Sequence, residues 1–261
     1  MSSHSFAARV VENRHLGGTS FVLRLSGCDA LRAAQPGQFV MLRGEWGRDP
    51  LLPRAFSILR TLPDGGAEIL GKAVGRGTRL LLDAAAGQTL HVLGPLGRPW
   101  PRAERGRAYA LVAGGVGLAP LLMWAEAERD AGADLHLLYG ARTAADLVLV
   151  DECERAGCRV TLATEDGSRG LRGRVTDALV AASPTADTIV LTCGPNPMMR
   201  AVAAIAAERK MKCLVSVEGE MACGIGVCLG CAVPHAEGAA KKFGYACVDG
   251  PVFDAAEIVL P

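Results

Sequence analysis

Four cysteines carry the most specific chemistry in this chain of 261 residues. Cys223, Cys228 and Cys231 stand at C-x4-C-x2-C spacing in EGEMACGIGVCLGC, and Cys247 follows after fifteen residues in FGYACVDGP. That spacing is the ligand pattern of a plant-type [2Fe-2S] centre, in which a loop wraps the cluster and a distant thiolate closes it. Gly224, Gly226 and Gly230 suit such a loop, because a chain wound around inorganic sulfide needs positive φ angles and N–H groups turned inward. Two other chemistries use four cysteines. A structural zinc site usually shows two C-x2-C-like pairs, whereas here one gap is four residues and one is two. Disulfides belong to oxidising compartments. The amino-terminal stretch MSSHSFAARVVENRH has no basic region followed by an apolar core, so a cytoplasmic protein is expected.

A second group of residues could hold phosphates and a flat heterocycle. In LLPRAFSIL one Arg and one Ser interrupt an apolar strand: the Arg54 guanidinium can clamp a diphosphate, and the Ser57 hydroxyl can hydrogen-bond a ring. Further on, GKAVGRGT offers Lys72, Gly77 and Thr78 for phosphate contacts. Taken singly, each segment also reads as an ordinary solvated strand face. Two more loops, GGVGLAP (114–120) and CGPNPM (193–198), open helices whose first N–H groups can hold a pyrophosphate. The first departs from the dinucleotide fingerprint, since Pro120 stands where the third glycine would be and no acid follows the next strand. Cys193 is either a small packed residue or a neighbour of a nicotinamide ring. Glu165 and Asp166 in TEDGS would repel a 2'-phosphate and favour NADH over NADPH, while Arg142 argues the reverse.

These residues need two kinds of scaffold. Residues 5–98 read as short apolar or alternating strands, SFVLRLS, GQFVMLR, AFSIL and AEILGKAV, punctuated by QPG, LPDGG and AAAGQ, which predicts an antiparallel barrel. From Tyr109 strands and helices alternate. Strands are expected at 109–113, 135–139, 159–163, 188–192 and 213–217, with helices in PLLMWAEAERDAG, AADLVLVDECERAG, RVTDALVAA and PMMRAVAAIAAERK. That alternation predicts a doubly wound, five-stranded parallel sheet. In the order 3-2-1-4-5 its first and fourth strands are neighbours, so GGVGLAP and CGPNPM share one crevice at the carboxyl ends. The expected division is a barrel over 1–101, a nucleotide-type domain over 102–217 and a small [2Fe-2S] module over 218–261.

Composition closes off other classes. The formal net charge is +1 and Lys and Arg are scattered, so neither nucleic acid nor an anionic membrane is an expected partner. Residues 108–125 are uncharged for eighteen positions, yet Gly114, Gly115, Gly117 and Pro120 lie in their middle, which reads as a buried strand, turn and helix. Cys28, Cys153, Cys158 and Cys213 are expected as plain thiols in a reducing compartment.

In combination the segments resemble the ferredoxin reductase superfamily. PRAFSI is similar to its RxxS flavin motif, GPLGRPW to its domain-closing turn, and GGVGLAP and CGPNPM to its nicotinamide loops. TEDGSRGLRGRVTDAL, EGEMACGIGVCLGCAVP and YACVDGPVF narrow the resemblance to the electron-transfer subunits of NAD-dependent dihydroorotate dehydrogenase B. The resemblance implies FAD contacts at Pro53, Arg54, Ala55 and Phe56, at Leu70, Gly71 and Lys72, and at Gly77 and Thr78, with Ser57 near the flavin N5. It implies NAD(H) at Gly114, Gly115, Gly117, Cys193, Gly194 and Pro195, and cluster ligands at Cys223, Cys228, Cys231 and Cys247. Ser57 and Cys193 would flank the reacting rings. The implied partner is an FMN-containing dihydroorotate dehydrogenase catalytic subunit. The flavin and iron-sulfur subunit of a ferredoxin:NAD(P) oxidoreductase or a sulfhydrogenase has similar loops, and a zinc-held, non-enzymatic adaptor is the alternative from another class. The family often carries a second Arg and a Pro where this chain has Pro53 and Ala55.

Overall fold

The computed structural model describes residues 4–260. Residues 1–3 and 261, which begin and end the expected first and third domains, lie outside the described residues, as do the first three residues of the amino-terminal stretch. Six strands close an antiparallel barrel: β1 (His4–Gly17), β2 (Ser20–Ser26), β3 (Phe39–Gly44), β4 (Arg54–Thr61), β5 (Ala67–Lys72) and β6 (Thr89–Leu96), in the order β1-β2-β5-β4-β3-β6. The short helix α1 (Arg76–Leu82) follows β5. Strand alternation sends Val40 and Leu42 inward, where they join Leu23, Ile58 and Ile69 in the barrel core. The opposite face of β3 is also buried: Phe39 and Met41 pack outward against the carboxy-terminal part of the chain.

The expected parallel strands are β7 (Ala108–Gly114), β8 (Asp134–Ala141), β9 (Arg159–Thr164), β11 (Ile189–Cys193) and β12 (Cys213–Ser216). They lie in the expected order, read as β9-β8-β7-β11-β12. Two strands extend the sheet beyond expectation: β10 (Leu171–Arg172) beside β9, and the antiparallel β15 (Val252–Asp254) beside β12. A hairpin of β13 (Ala232–Pro234) and β14 (Phe243–Tyr245) stands apart.

Helices α2 (Leu118–Glu128), α3 (Val150–Arg155), α4 (Val175–Ala182) and α5 (Asn196–Glu208) cover both faces of the sheet. In β7 every residue beyond the first is buried, and the alternation sorts them: Tyr109, Leu111 and Ala113 face α2 and α3, while Ala110 and Val112 face α4 and α5. The uncharged stretch 108–125 is therefore a strand, a turn and a buried helix. No helix among the described residues is long and apolar enough to cross a membrane. One expected helix is divided: 144–157 forms a single 3-10 turn and then α3, with Leu149 at φ 57 between them. Tyr139 Oη, which accepts from Val148 N at 3.3 Å, and the pairing of Asp146 with Lys72 at 2.7 Å hold the intervening segment out of a helix.

α2 is apolar on nearly all sides because it is sandwiched. It packs on the sheet and on barrel residues Val22, Leu59 and Leu70 in one continuous core. Beside this contact, Arg60 of β4 reaches Glu126 of α2 (2.6 Å), Glu68 of β5 (3.0 Å) and Glu152 of α3 (2.6 Å). Burial alone would lower the Arg60 pKa, but the hydrogen bonds to Glu126 and Glu68 outweigh it and hold the guanidinium charge firmly.

Candidate functional site

The β3–β4 ladder sets Leu42 opposite Arg54, Met41 opposite Ala55, Val40 opposite Phe56 and Phe39 opposite Ser57. Opposed residues share a face, so Ala55 and Ser57 point outward with Met41 and Phe39. Met41 and Phe39 are buried, while Ala55 is exposed and Ser57 half-buried. Small residues on β4 thus leave an open strip beside a covered β3. At its end the Arg54 Nη1 donates to Leu52 O at 2.6 Å, and the guanidinium lies flat over Gly77. A Cβ on Gly77 would stand 2.9 Å from Arg54 Cζ, so glycine is what admits the side chain there.

The structure brings Arg54 and Gly77 together, leaves Ala55 and Ser57 on the outward face of β4, and gives several other expected residues internal work. Thr78 Oγ1 accepts from the amides of Val74 (2.9 Å) and Gly75 (3.0 Å), shaping the loop ahead of α1. The Lys72 ammonium pairs with Asp146, linking β5 to the segment after β8 and keeping the Asp146 carboxyl below its ordinary range. Gly71 is small because the Phe21 ring lies on it, 2.5 Å from where a Cβ would be. Leu70 is buried in the core shared with α2. Pro53 is half-buried just ahead of β4, and Phe56, the ladder partner of Val40, is half-buried against the barrel core on the face opposite the strip.

Neighbouring β7 and β11 place the two glycine loops in contact, as the strand order requires. A Cβ on Gly117 would meet Cys193 O at 2.4 Å, and one on Gly194 would meet Gly114 Cα at 3.0 Å. Gly115 instead faces open space at φ 54. Pro195 is exposed at the start of α5, and the buried Asn196 Oδ1 next to it has no hydrogen-bond partner among the described residues. An orphaned acceptor in a crevice of backbone loops fits a ligand that brings its own donor. Cys193 lies at the same strand end, and burial raises its thiol well above the ordinary value, so it is a neutral, compact neighbour and not a thiolate nucleophile. Its Sγ points at Glu218 Oε1, 3.9 Å away. Sequence reasoning missed Glu218; its place directly after the fifth expected strand was the available signal. The acidic loop lies against the end of β8, with Glu165 N bonded to Ala141 O, Asp166 N to Arg142 O, and Ser168 Oγ accepting from Ala144 N at 2.8 Å.

The cysteine loop follows β12. Gly224 and Gly226 take φ 75 and 78, as expected, but Gly230 does not enter the left-handed region; Leu229 does, at φ 60. The β13–β14 hairpin holds Cys231 and Cys247 across from each other, with Ala246 N bonded to Cys231 O, and the two buried sulfurs are 3.2 Å apart. Cys223 and Cys228 form the outer, more exposed pair, in which Cys228 N donates to Cys223 Sγ at 3.4 Å. Gly226 N donates to Cys247 Sγ at 3.2 Å. Backbone donors from Cys228 and Ile225 bring the Cys223 thiol down to about 6, while burial and the neighbouring Cys231 push Cys247 up to about 12. Around the outer pair, Ile225, Val227 and Leu229 are 48%, 75% and 53% exposed, an apolar collar that invites cover.

All nine cysteines are unpaired, and no three His, Cys, Asp or Glu side chains among the described residues converge on one point as a single ion requires. Two thiol pairs with N–H groups aimed at sulfur fit a dinuclear iron-sulfur cluster. Away from it, burial pushes Cys153, Cys158 and Cys213 up to about 12 and Cys28 to about 11, which suits inert thiols.

Residues 218–259 match the iron-sulfur cluster binding domain of dihydroorotate dehydrogenase B, and residues 111–204 match an oxidoreductase NAD-binding domain. The chain is 37% identical over 254 residues to the dihydroorotate dehydrogenase B (NAD(+)) electron transfer subunit of Bacillus caldolyticus, covering 96% of this chain and 97% of that one. The Geobacillus kaustophilus protein of the same name is also 37% identical, with the same coverage. Among solved structures, the NADH-dependent reduced ferredoxin-NADP oxidoreductase is 30% identical with a TM-score of 0.86, covering 97% of this chain and 90% of that chain.

Proposed function

Because the chain belongs to the family of dihydroorotate dehydrogenase B electron transfer subunits, we propose that it carries electrons between an FMN-containing dihydroorotate dehydrogenase catalytic subunit and NAD+, in pyrimidine biosynthesis in the cytoplasm. The observation that carries this reading is that β3, the ladder partner of β4, shares one buried cluster with Cys231 and Cys247, while the barrel packs on α2, the helix that follows the first glycine loop. When bound, FAD exchanges two electrons with nicotinamide and single electrons with a [2Fe-2S] cluster, which the protein orients and insulates.

The residues divide the work. Arg54, braced by Leu52 O and seated on Gly77, offers its remaining N–H groups to the FAD diphosphate. Ser57, on the outward face of β4 with Ala55, would offer its hydroxyl to the flavin ring, and Pro53 and Phe56 would shape the strand around it. The loops at Gly114–Gly117 and Cys193–Pro195 offer a narrow, glycine-lined seat to NAD(H), and Cys193 fills the space beside the nicotinamide without competing for its electrons. Glu165 and Asp166, lying against the end of β8, disfavour a 2'-phosphate and support NADH as the substrate. The buried Cys231 and Cys247 and the more exposed Cys223 and Cys228 would hold the cluster, and the apolar collar around the exposed pair would receive the partner. In this reading the oxidation of dihydroorotate belongs to the partner.

An anaerobic visible spectrum of the purified protein tests this reading. Flavin and iron-sulfur bands that bleach on adding NADH, and much more slowly on adding NADPH, are expected. A colourless, zinc-containing protein would remove the electron-transfer reading, and copurification with a flavoprotein of another type would favour the oxidoreductase relatives over dihydroorotate. Gly77→Ala is a sharper check on the flavin seat. The change raises helix propensity in α1 by about 1 kcal/mol, yet its Cβ displaces the Arg54 guanidinium. Stability should hold while FAD affinity falls about tenfold or more, the weight of one charge-assisted hydrogen bond at about 1.5–3 kcal/mol. Fluorescence titration of released flavin reads the difference.

A further inference from the structure

The outward face of β3 touches both redox seats. Met41 is the ladder partner of Ala55 on the open strip of β4. It is also the floor of the cysteine loop: a Cβ on Gly224 would meet Met41 Cγ at 2.7 Å, Leu96 Cδ1 at 3.0 Å and Met41 Sδ at 3.2 Å. Gly224 is the neighbour of Cys223 and sits at φ 75. Met41 is 1% exposed and shares one apolar cluster with Cys231 and Cys247. A single side chain therefore spans from the flavin strand to the cysteine loop.

We propose that Met41 is the positioning residue that sets the gap between the flavin and the iron-sulfur cluster, by seating Gly224 directly on strand β3. The proposal rests on the reading of both cofactor sites given above. Each NADH oxidised to NAD+ yields two electrons and one proton; the proton goes to solvent, and the two electrons cross this contact one after the other toward the cluster. The thioether is long, unbranched and polarisable, which lets it fill the space between a flat strand and a tightly wound loop. Close packing at a buried contact fixes distance, and a gap of even 1 Å forfeits much of the contact.

The experiment uses the full chain with both cofactors, reduced by NADH in an anaerobic stopped flow. Flavin bleaching and cluster reduction are followed separately, the latter by freeze-quench electron paramagnetic resonance. Met41→Ala is expected to lower the ratio of cluster reduction to flavin reduction about threefold or more, since electron transfer between fixed centres slows steeply as the gap between them widens. Met41→Leu, which keeps the reach and the apolar volume, should restore the ratio. If Met41→Ala loses its cluster, Met41→Val, strand-forming but too short to reach Gly224, carries the same expectation. A second readout needs no cofactor: in cluster-free protein at fixed pH, alkylation of Cys223 should speed up severalfold in Met41→Ala and return to the wild-type rate in Met41→Leu. An unchanged ratio in a variant that keeps both cofactors, or unchanged alkylation in the cluster-free protein, overturns the proposal. Wild-type protein lacking flavin or iron overturns the underlying reading instead.

Discussion

Cys223→Ser is expected to abolish electron delivery to the partner while NADH still bleaches the flavin at close to the wild-type rate. The sulfur belongs to the outer thiol pair, and its contacts are the backbone amides and the Cys228 thiol of its own loop. A serine oxygen there is a hard, protonated, poor iron ligand, so the cluster is lost or held by three thiolates. The open strip of β4 and the crevice between the glycine loops make no hydrogen bond to Cys223, and the buried Cys231 and Cys247 remain to keep the hairpin closed. Iron content, flavin content, flavin bleaching and reduction of the partner are the four measurements. Loss of flavin bleaching in a variant that retains its FAD would overturn the division of labour between the sites.

The second large effect concerns stability. Arg60→Ala removes the one cation that holds Glu126, Glu68 and Glu152 together where barrel, α2 and α3 meet. The guanidinium is only 19% exposed, Glu68 18% and Glu152 15%, while Glu126, at 30%, has the most access to solvent. Arg14 offers partial relief, at 3.6 Å from Glu152. Breaking a largely buried ion pair by deleting one partner costs about 3 kcal/mol or more, which for a chain of this size lowers the thermal midpoint by roughly 6–10 °C. Replacing Arg60 by Met together with Glu126 by Leu should recover much of the loss, because paired apolar residues leave fewer stranded charges. A shift of under about 2 °C in Arg60→Ala, less than about 1 kcal/mol for a chain of this size, would mean that the network is already open to water.

Local patterns made some parts of the molecule legible and hid others. β2 occupies SFVLRLS at the bounds its alternation predicts, and the five parallel strands fall in the expected order because each is a short apolar run bounded by turn residues. The cysteine spacing carried the cluster reading, and GGVG and CGPNP were persuasive only as neighbours. β1 escaped notice, since HSFAARVVENRHLG is polar and mostly exposed, and its pairing with β2 shifts register twice. The two-residue β10 and three-residue β15 are too short to show periodicity. Arg60 read as an ordinary strand residue because its carboxylate partners on the helices lie 66 and 92 positions further along. Lys72 and Thr78 carry the right chemistry for phosphate, but long-range pairing and loop closure claim them first.

β15 returns the chain to the sheet from which the cysteine loop departed: Val217 N bonds to Pro251 O, Val215 pairs with Phe253, and Ala255 N bonds to Cys213 O. The loop that carries the thiolates is thus stitched at both ends to one strand and is not strung on a flexible tether. A tethered carrier works by search, at an effective concentration set by the length of its linker. Here there is nothing to search and no linker to lengthen. The distance an electron must cross inside this subunit is settled once, when the chain folds, and what remains adjustable is whatever docks on the outside.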